Sequence, residues 1–118
     1  MELSCKRIYE PPAENDGFRI LADRLWPRGI SKEKARIDLW CKNIAPSDTL
    51  RKKFGHNPEK WEMFRETYMR ELEKNEDCLN EFAAELKKHE TVTLLFAAKD
   101  TEHNNAVVLK EVLAGKLQ

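Results

Sequence analysis

The sequence predicts one small α/β domain over residues 1–118, with a mixed, mostly parallel sheet of three to four strands and helices packed on it. Three observations lead there. TVTLLFAA (91–98) is apolar on both alternating sets of positions, as in a strand covered on both faces. Trp61, Phe64, Tyr68 and Leu72 recur at helical spacing and form one apolar stripe. A chain of 118 residues lies within the usual size of a domain with a single core.

The elements follow in order. Ile8 and Tyr9 in KRIYE suggest a short strand closed by Pro11 and Pro12, and PPAENDG reads as a turn. FRILADRLW is a second strand. About seven residues separate the two, fewer than a parallel crossover uses, so adjacency would make them antiparallel. Pro27 and Gly29 end the second strand, Ser31 caps a helical turn over KEKAR, and IDLWCKNI is another extended piece. SDTLRKKF is a two-turn helix capped by Ser47 or Asp48 and stopped by Gly55.

Asn57 as N-cap and Pro58 at the first helical position open the helix of NPEKWEMFRETYMRELEKN. DCLNEFAAELKK carries Leu79, Phe82 and Leu86 on one face of a further helix. The last helix, from about Asn104 to Leu117, presents Ala106, Val107, Val108, Leu109, Val112 and Leu113, a broad apolar surface suited to packing on the sheet.

Composition narrows the function. The 21 Lys plus Arg balance 21 Asp plus Glu, so no net field draws the whole chain to nucleic acid or to an anionic membrane. No apolar run approaches the roughly 20 residues of a membrane span, and MELSCKRIYE lacks a signal-peptide core. A cytoplasmic protein is expected. Cys5, Cys41 and Cys78 are odd in number and widely spaced, against a disulfide framework or a zinc ribbon; Cys41, between Trp40 and Lys42, is the best placed for a reactive thiol. There is no Gly-x-Gly-x-x-Gly, no Walker loop and no Gly-rich turn after a strand for a nucleotide-like methyl donor, so no cofactor is expected.

The candidate chemistry gathers at two strand ends. FRILADRLW places Arg24 in line with core-facing positions, and charged groups there are costly unless they are paired or open onto a crevice. Such crevices, at the carboxyl ends of strands in open α/β sheets, are where ligands sit. TVTLLFAA exits through Lys99, Asp100, Glu102, His103, Asn104 and Asn105 into a helix start, where free N–H groups favour an anion. If the two strands are parallel neighbours, Arg24 and the 99–105 loop share one pocket.

Arg28, on the Pro27–Gly29 turn, is placed to aim a guanidinium at a carboxylate or phosphate. His56, between two helices, and His103 are candidate acids or bases, with Asp100 beside them; one of Asn104 and Asn105 caps the last helix and leaves the other for a ligand. Asp100, Glu102, His103 and His56 are also plausible metal ligands by type, but their spacing matches no metal motif, and no metal is expected.

DGFRILADRLWPRGISKEKARIDLW, RKKFGHNPEKWEMFRETY and VTLLFAAKDTEHNNAVVLKEVL together resemble the YeaO-like family, domain of unknown function 488, over about Arg7 to Leu113. The resemblance implies a small α/β domain and brings no activity with it. The family's motifs fall on Asp23, Arg24, Trp26, Arg28, Gly55, His56, His103, Asn104 and Asn105. The chain departs from the family pattern at Lys53, where an aromatic is usual, at Asn57, where Asp is usual, and at Phe96, often Tyr. The expected function is binding of a small anion by Arg24, Arg28, Lys99, Asn104 and Asn105. Hydrolysis or group transfer would fall to His103, His56 and Asp100. The alternative is a non-catalytic sensor or protein-interaction module in which these groups form a structural network.

Overall fold

The computed structural model describes residues 1–117. Four strands, β1 (Glu2–Arg7), β2 (Phe18–Leu21), β3 (Leu39–Trp40) and β4 (Thr91–Phe96), form one sheet in the order β1-β4-β2-β3. Every pairing is parallel, so the sheet is purely parallel rather than mixed. The helices are α1 (Lys32–Ala35), α2 (Asp48–Phe54), α3 (Trp61–Lys74), α4 (Glu76–Leu86) and α5 (Asn105–Lys116). Among the described residues no helix is long and apolar enough to cross a membrane.

β4 is the central strand that TVTLLFAA predicts. Val92, Leu94 and Phe96 face one core with Ile20 and helices α2 to α5, while Leu95 faces a second, smaller core with Ile8, Leu21 and Ala35. Fully burying a Leu is worth about 1.5–3 kcal/mol, so Leu94 and Leu95, both at 0 % exposure, hold the strand from both sides.

The first two strands are not adjacent, so the antiparallel pairing that adjacency would have required does not arise. β4 lies between them and pairs both, Glu2 to Arg7 against Thr91 to Phe96 on one side and Phe18 to Leu21 against Val92 to Leu95 on the other. The first strand also ends at Arg7, earlier than KRIYE suggests. Residues 8–17 then return without a crossover helix. Extended chain covers up to ~3.3–3.6 Å per residue, and Pro11 and Pro12 keep the connection open.

Asp16 fastens that return to the sheet. Its carboxylate accepts from Lys6 Nζ of β1 (3.1 Å) and Arg19 Nη1 of β2 (2.5 Å), and its carbonyl accepts from Thr93 Oγ1 of β4 (2.7 Å). The Arg19 guanidinium also donates to the carbonyls of Ala35 and Arg36. Burial would raise the Asp16 carboxyl, but the Ala13 N–H, Lys6 and Arg19 together hold it below its usual 3.8. Gly17 must be glycine: its φ is +66°, and an added Cβ would sit 2.3 Å from the Thr91 carbonyl oxygen.

The helix ends follow the local rules read from the sequence. The Ser47 hydroxyl accepts from Leu50 N–H and donates to Glu71 of α3, and α2 stops at left-handed Gly55. Asn57 caps a single 3-10 turn, Pro58–Lys60, ahead of α3. Phe64, Tyr68 and Leu72 bury the face of α3 against the core, and Tyr68 Oη donates to the Ile44 carbonyl at 2.6 Å. Cys41, partly buried, packs against this core as the small hydrophobe that a lone Cys usually is, and burial raises its thiol above the usual value.

Candidate functional site

Because β2 and β4 are parallel neighbours, their carboxyl ends open on the same side, and the loops leaving them form a cleft of about 710 Å³. All eight residues singled out for chemistry line it: Arg24, Arg28, His56, Lys99, Asp100, His103, Asn104 and Asn105. The structure also divides them by what their side chains already bind.

One group knits the loops. Asp23, just past β2, accepts from the Ala97 N–H just past β4 (2.9 Å) and from Asn105 Nδ2 (3.0 Å), so its carboxylate continues the strand pairing where the ladder stops. Burial raises the Asp23 carboxyl above its usual value, partly countered by those two donors and by His56. Asn105 Nδ2 also donates to the Ala22 carbonyl, and Asn104 caps α5 by accepting from Val107 N–H while donating to the Asp100 carbonyl. Of the two asparagines, Asn104 is therefore the cap. Arg24 does not continue the strand alternation: β2 ends at Leu21, and the guanidinium turns to the Ala45 and Pro46 carbonyls.

The second group has groups to spare. Arg28 and Lys99 are exposed and form no ion pair among the described residues. His56 is exposed at φ +57°, directly after left-handed Gly55. His103 Nδ1 lies 2.9 Å from Asp100 Oδ2, and its ring meets Trp61 edge-on at 5.1 Å. Asp100 Oδ1 accepts from the Glu102 and His103 N–H groups; the Glu102 bond first, then those of the His103 ring and backbone, lower its carboxyl below the usual value. An imidazole so oriented could move a proton, yet no Ser, Thr or Cys lines the cleft.

Sequence reasoning missed Tyr9, Arg51 and Phe54, which also line the cleft. Arg51 and Phe54 stand at i and i+3 on α2, and that spacing is the only signal for them. Among the described residues, no group of three or more His, Cys, Asp or Glu is arranged to hold a metal ion.

Fold and cleft define a parallel α/β domain with a polar crevice at its strand carboxyl ends. The chain belongs to the inactive DUF488-N3 subclade, whose family model matches residues 2–118. It is similar to the uncharacterized protein YeaO of Escherichia coli K12, 49% identical over 76 residues, 64% of this chain and 66% of that protein. It is also similar to the uncharacterized protein Rv3073c of Mycobacterium tuberculosis H37Rv, 46% identical over 66 residues, 56% of each chain. The chain thus spans less than two thirds of the length of either relative. No solved structure matches it significantly.

Proposed function

We propose that this is a cytoplasmic, non-catalytic protein that binds a small anion in the cleft at the carboxyl ends of β2 and β4. The observation that carries the reading is the placing of Arg28 and Lys99, without ion-pair partners, at one cleft beside the N-terminal end of α5. The network of Asp23, Asn104, Asn105 and Arg24 holds the cleft's shape, so part of the alternative structural reading is contained in this one. Binding is preferred to hydrolysis or group transfer because the matching family model is that of an inactive subclade.

The test is thermal unfolding with inorganic phosphate, titrated against sodium chloride at matched ionic strength. Ligand at 100 times Kd adds about 2.7 kcal/mol to stability, so a dose-dependent rise in Tm is expected. Arg28→Ala and Lys99→Ala should weaken that rise while leaving the unliganded Tm unchanged. No response to phosphate at any concentration up to tens of millimolar overturns the reading.

A further inference from the structure

We propose that the occupant of the cleft is an aryl phosphate monoester, a dianionic phosphate carried on a flat apolar group, with Arg51 as a principal phosphate ligand. This rests on the anion-binding reading above and adds the chemical class of the ligand.

Arg51 supplies the first observation. Its Nε is buried and has no hydrogen-bond partner, while its Nη2 is 3.4 Å from Asp48 on the same helix. A buried N–H is almost always paired, and the fork of a guanidinium fits two oxygens of one phosphate. Here the unpaired atom belongs to a residue that lines the cleft. The side chain as a whole is 40% exposed, so a turn of the guanidinium toward the cleft would open Nε to an acceptor oxygen of a bound anion.

Charge supplies the second. The cleft is lined by four permanent cations, Arg24, Arg28, Arg51 and Lys99, against two carboxylates, Asp23 and Asp100, with Asp48 beside Arg51 outside the lining. Positive charge remains in excess even with Asp48 counted, which favours an anionic group such as a phosphate monoester.

The third is apolar surface that a bare anion would leave unused. In the cleft, Leu25, Tyr9 and the partly exposed Trp26 offer it, over a floor of buried Phe54 and Phe64. Of the large hydrophobic residues exposed among the described residues, two of three, Leu25 at 54% and Tyr9 at 42%, belong to it. The Tyr9 ring carries the Arg7 guanidinium 5.1 Å from its centre, and its hydroxyl is tied to the Arg28 carbonyl, so its position is fixed. Exposed apolar side chains beside convergent polar groups mark a site for an organic ligand, and about 710 Å³ lies within the volume range of such sites. The exposed aromatic surfaces of Tyr9 and Trp26 favour a planar group over a flexible chain.

Calorimetric titration of the intact protein with inorganic phosphate, methyl phosphate and phenyl phosphate separates this inference from the reading beneath it. Phenyl phosphate should bind about tenfold tighter than methyl phosphate, which should match inorganic phosphate. Leu25→Ser, at an exposed position, should reduce the phenyl phosphate advantage several-fold and leave methyl phosphate unchanged. Arg51→Gln should weaken all three by about tenfold; Arg51→Lys, which keeps the charge and loses the fork, should restore only part, and circular dichroism confirms that each variant is folded. Equal affinity for phenyl and methyl phosphate overturns the aryl class and leaves anion binding standing. Failure of all three to bind overturns both, and an Arg51→Gln protein with unchanged affinities removes Arg51 from the site.

Discussion

Asn105 Nδ2 lies 3.0 Å from Asp23 Oδ1, joining the first turn of the last helix to the loop after the second strand across 82 residues of sequence. The same amide nitrogen reaches the Ala22 carbonyl, and the other Asp23 oxygen takes the Ala97 N–H. Asp23 is here an acceptor only. In Asp23→Asn, one side-chain position turns from acceptor to donor and faces either the Ala97 N–H or the Asn105 amide. Flipping Asn105 would relieve the second clash but lose the bond to Ala22. The variant should lose about 1–3 kcal/mol, read by urea denaturation. Wild-type stability in Asp23→Asn would show that the pairing carries no weight.

Arg24 and Arg28 should behave differently although both line the cleft. Arg24→Met keeps the apolar stem but removes donors to the Ala45 and Pro46 carbonyls, and should cost about 1.5–3 kcal/mol. Arg28→Ala, at an exposed side chain, should stay within about 0.5 kcal/mol of wild type. Chemical denaturation of the two variants side by side checks the contrast.

Asp16 should give the fold an acid-labile component. Its native carboxyl lies below 3.8, so its contribution is complete above that value and is lost as pH falls through the native one. Asp23 has the opposite sign: its raised native carboxyl favours folding at low pH, and that contribution disappears as pH rises from 3.8 through the native value. Comparing wild type with Asp16→Asn in denaturant melts between pH 2 and about 5 isolates the Asp16 contribution. The variant should be less stable by about 3–5 kcal/mol near pH 5, because the Arg19 charge is left buried, and the difference should shrink on acidification.

Gly17→Ala should be among the most damaging single-methyl additions. The positive φ alone makes an L side chain strained by about 1–3 kcal/mol, and the Thr91 carbonyl oxygen leaves no room for the new carbon. Gly29→Ala, also at positive φ but with nothing within 4 Å, is the control and should cost only the backbone strain. Thermal melts of both variants separate the steric part from the conformational part.

What sequence could reveal was what short stretches decide alone. The caps at Ser47 or Asp48, at Asn57 and at one of Asn104 and Asn105, and the stop at Gly55, depend on residues within one turn, and TVTLLFAA carries its double burial in its own composition; the structure selects Ser47 and Asn104. The first strand was harder to place. ELSCKR contains weak strand formers, and its pairing comes from β4, whereas Ile8 and Tyr9 have the propensity but lie past its end. The buried Asp16–Arg19 pair was hidden for a similar reason, since END reads as an ordinary turn until Lys6 and Thr93 are brought beside it. In the cleft, Arg24, Arg28 and the polar residues of 99–105 were legible because they follow strand exits, and His56 because it follows the helix stop at Gly55; Tyr9, Arg51 and Phe54 reach the cleft from elements that only the tertiary fold brings near.

The strand order has a consequence for synthesis. The segment that joins the first two strands is the fourth to leave the ribosome, and at about 5–20 residues per second the amino-terminal edge waits for seconds before its neighbour is made. Until residues 91–96 emerge, both early strands have only unpaired flanks to offer on that side, and a nascent chain arrested before that point should remain sensitive to protease.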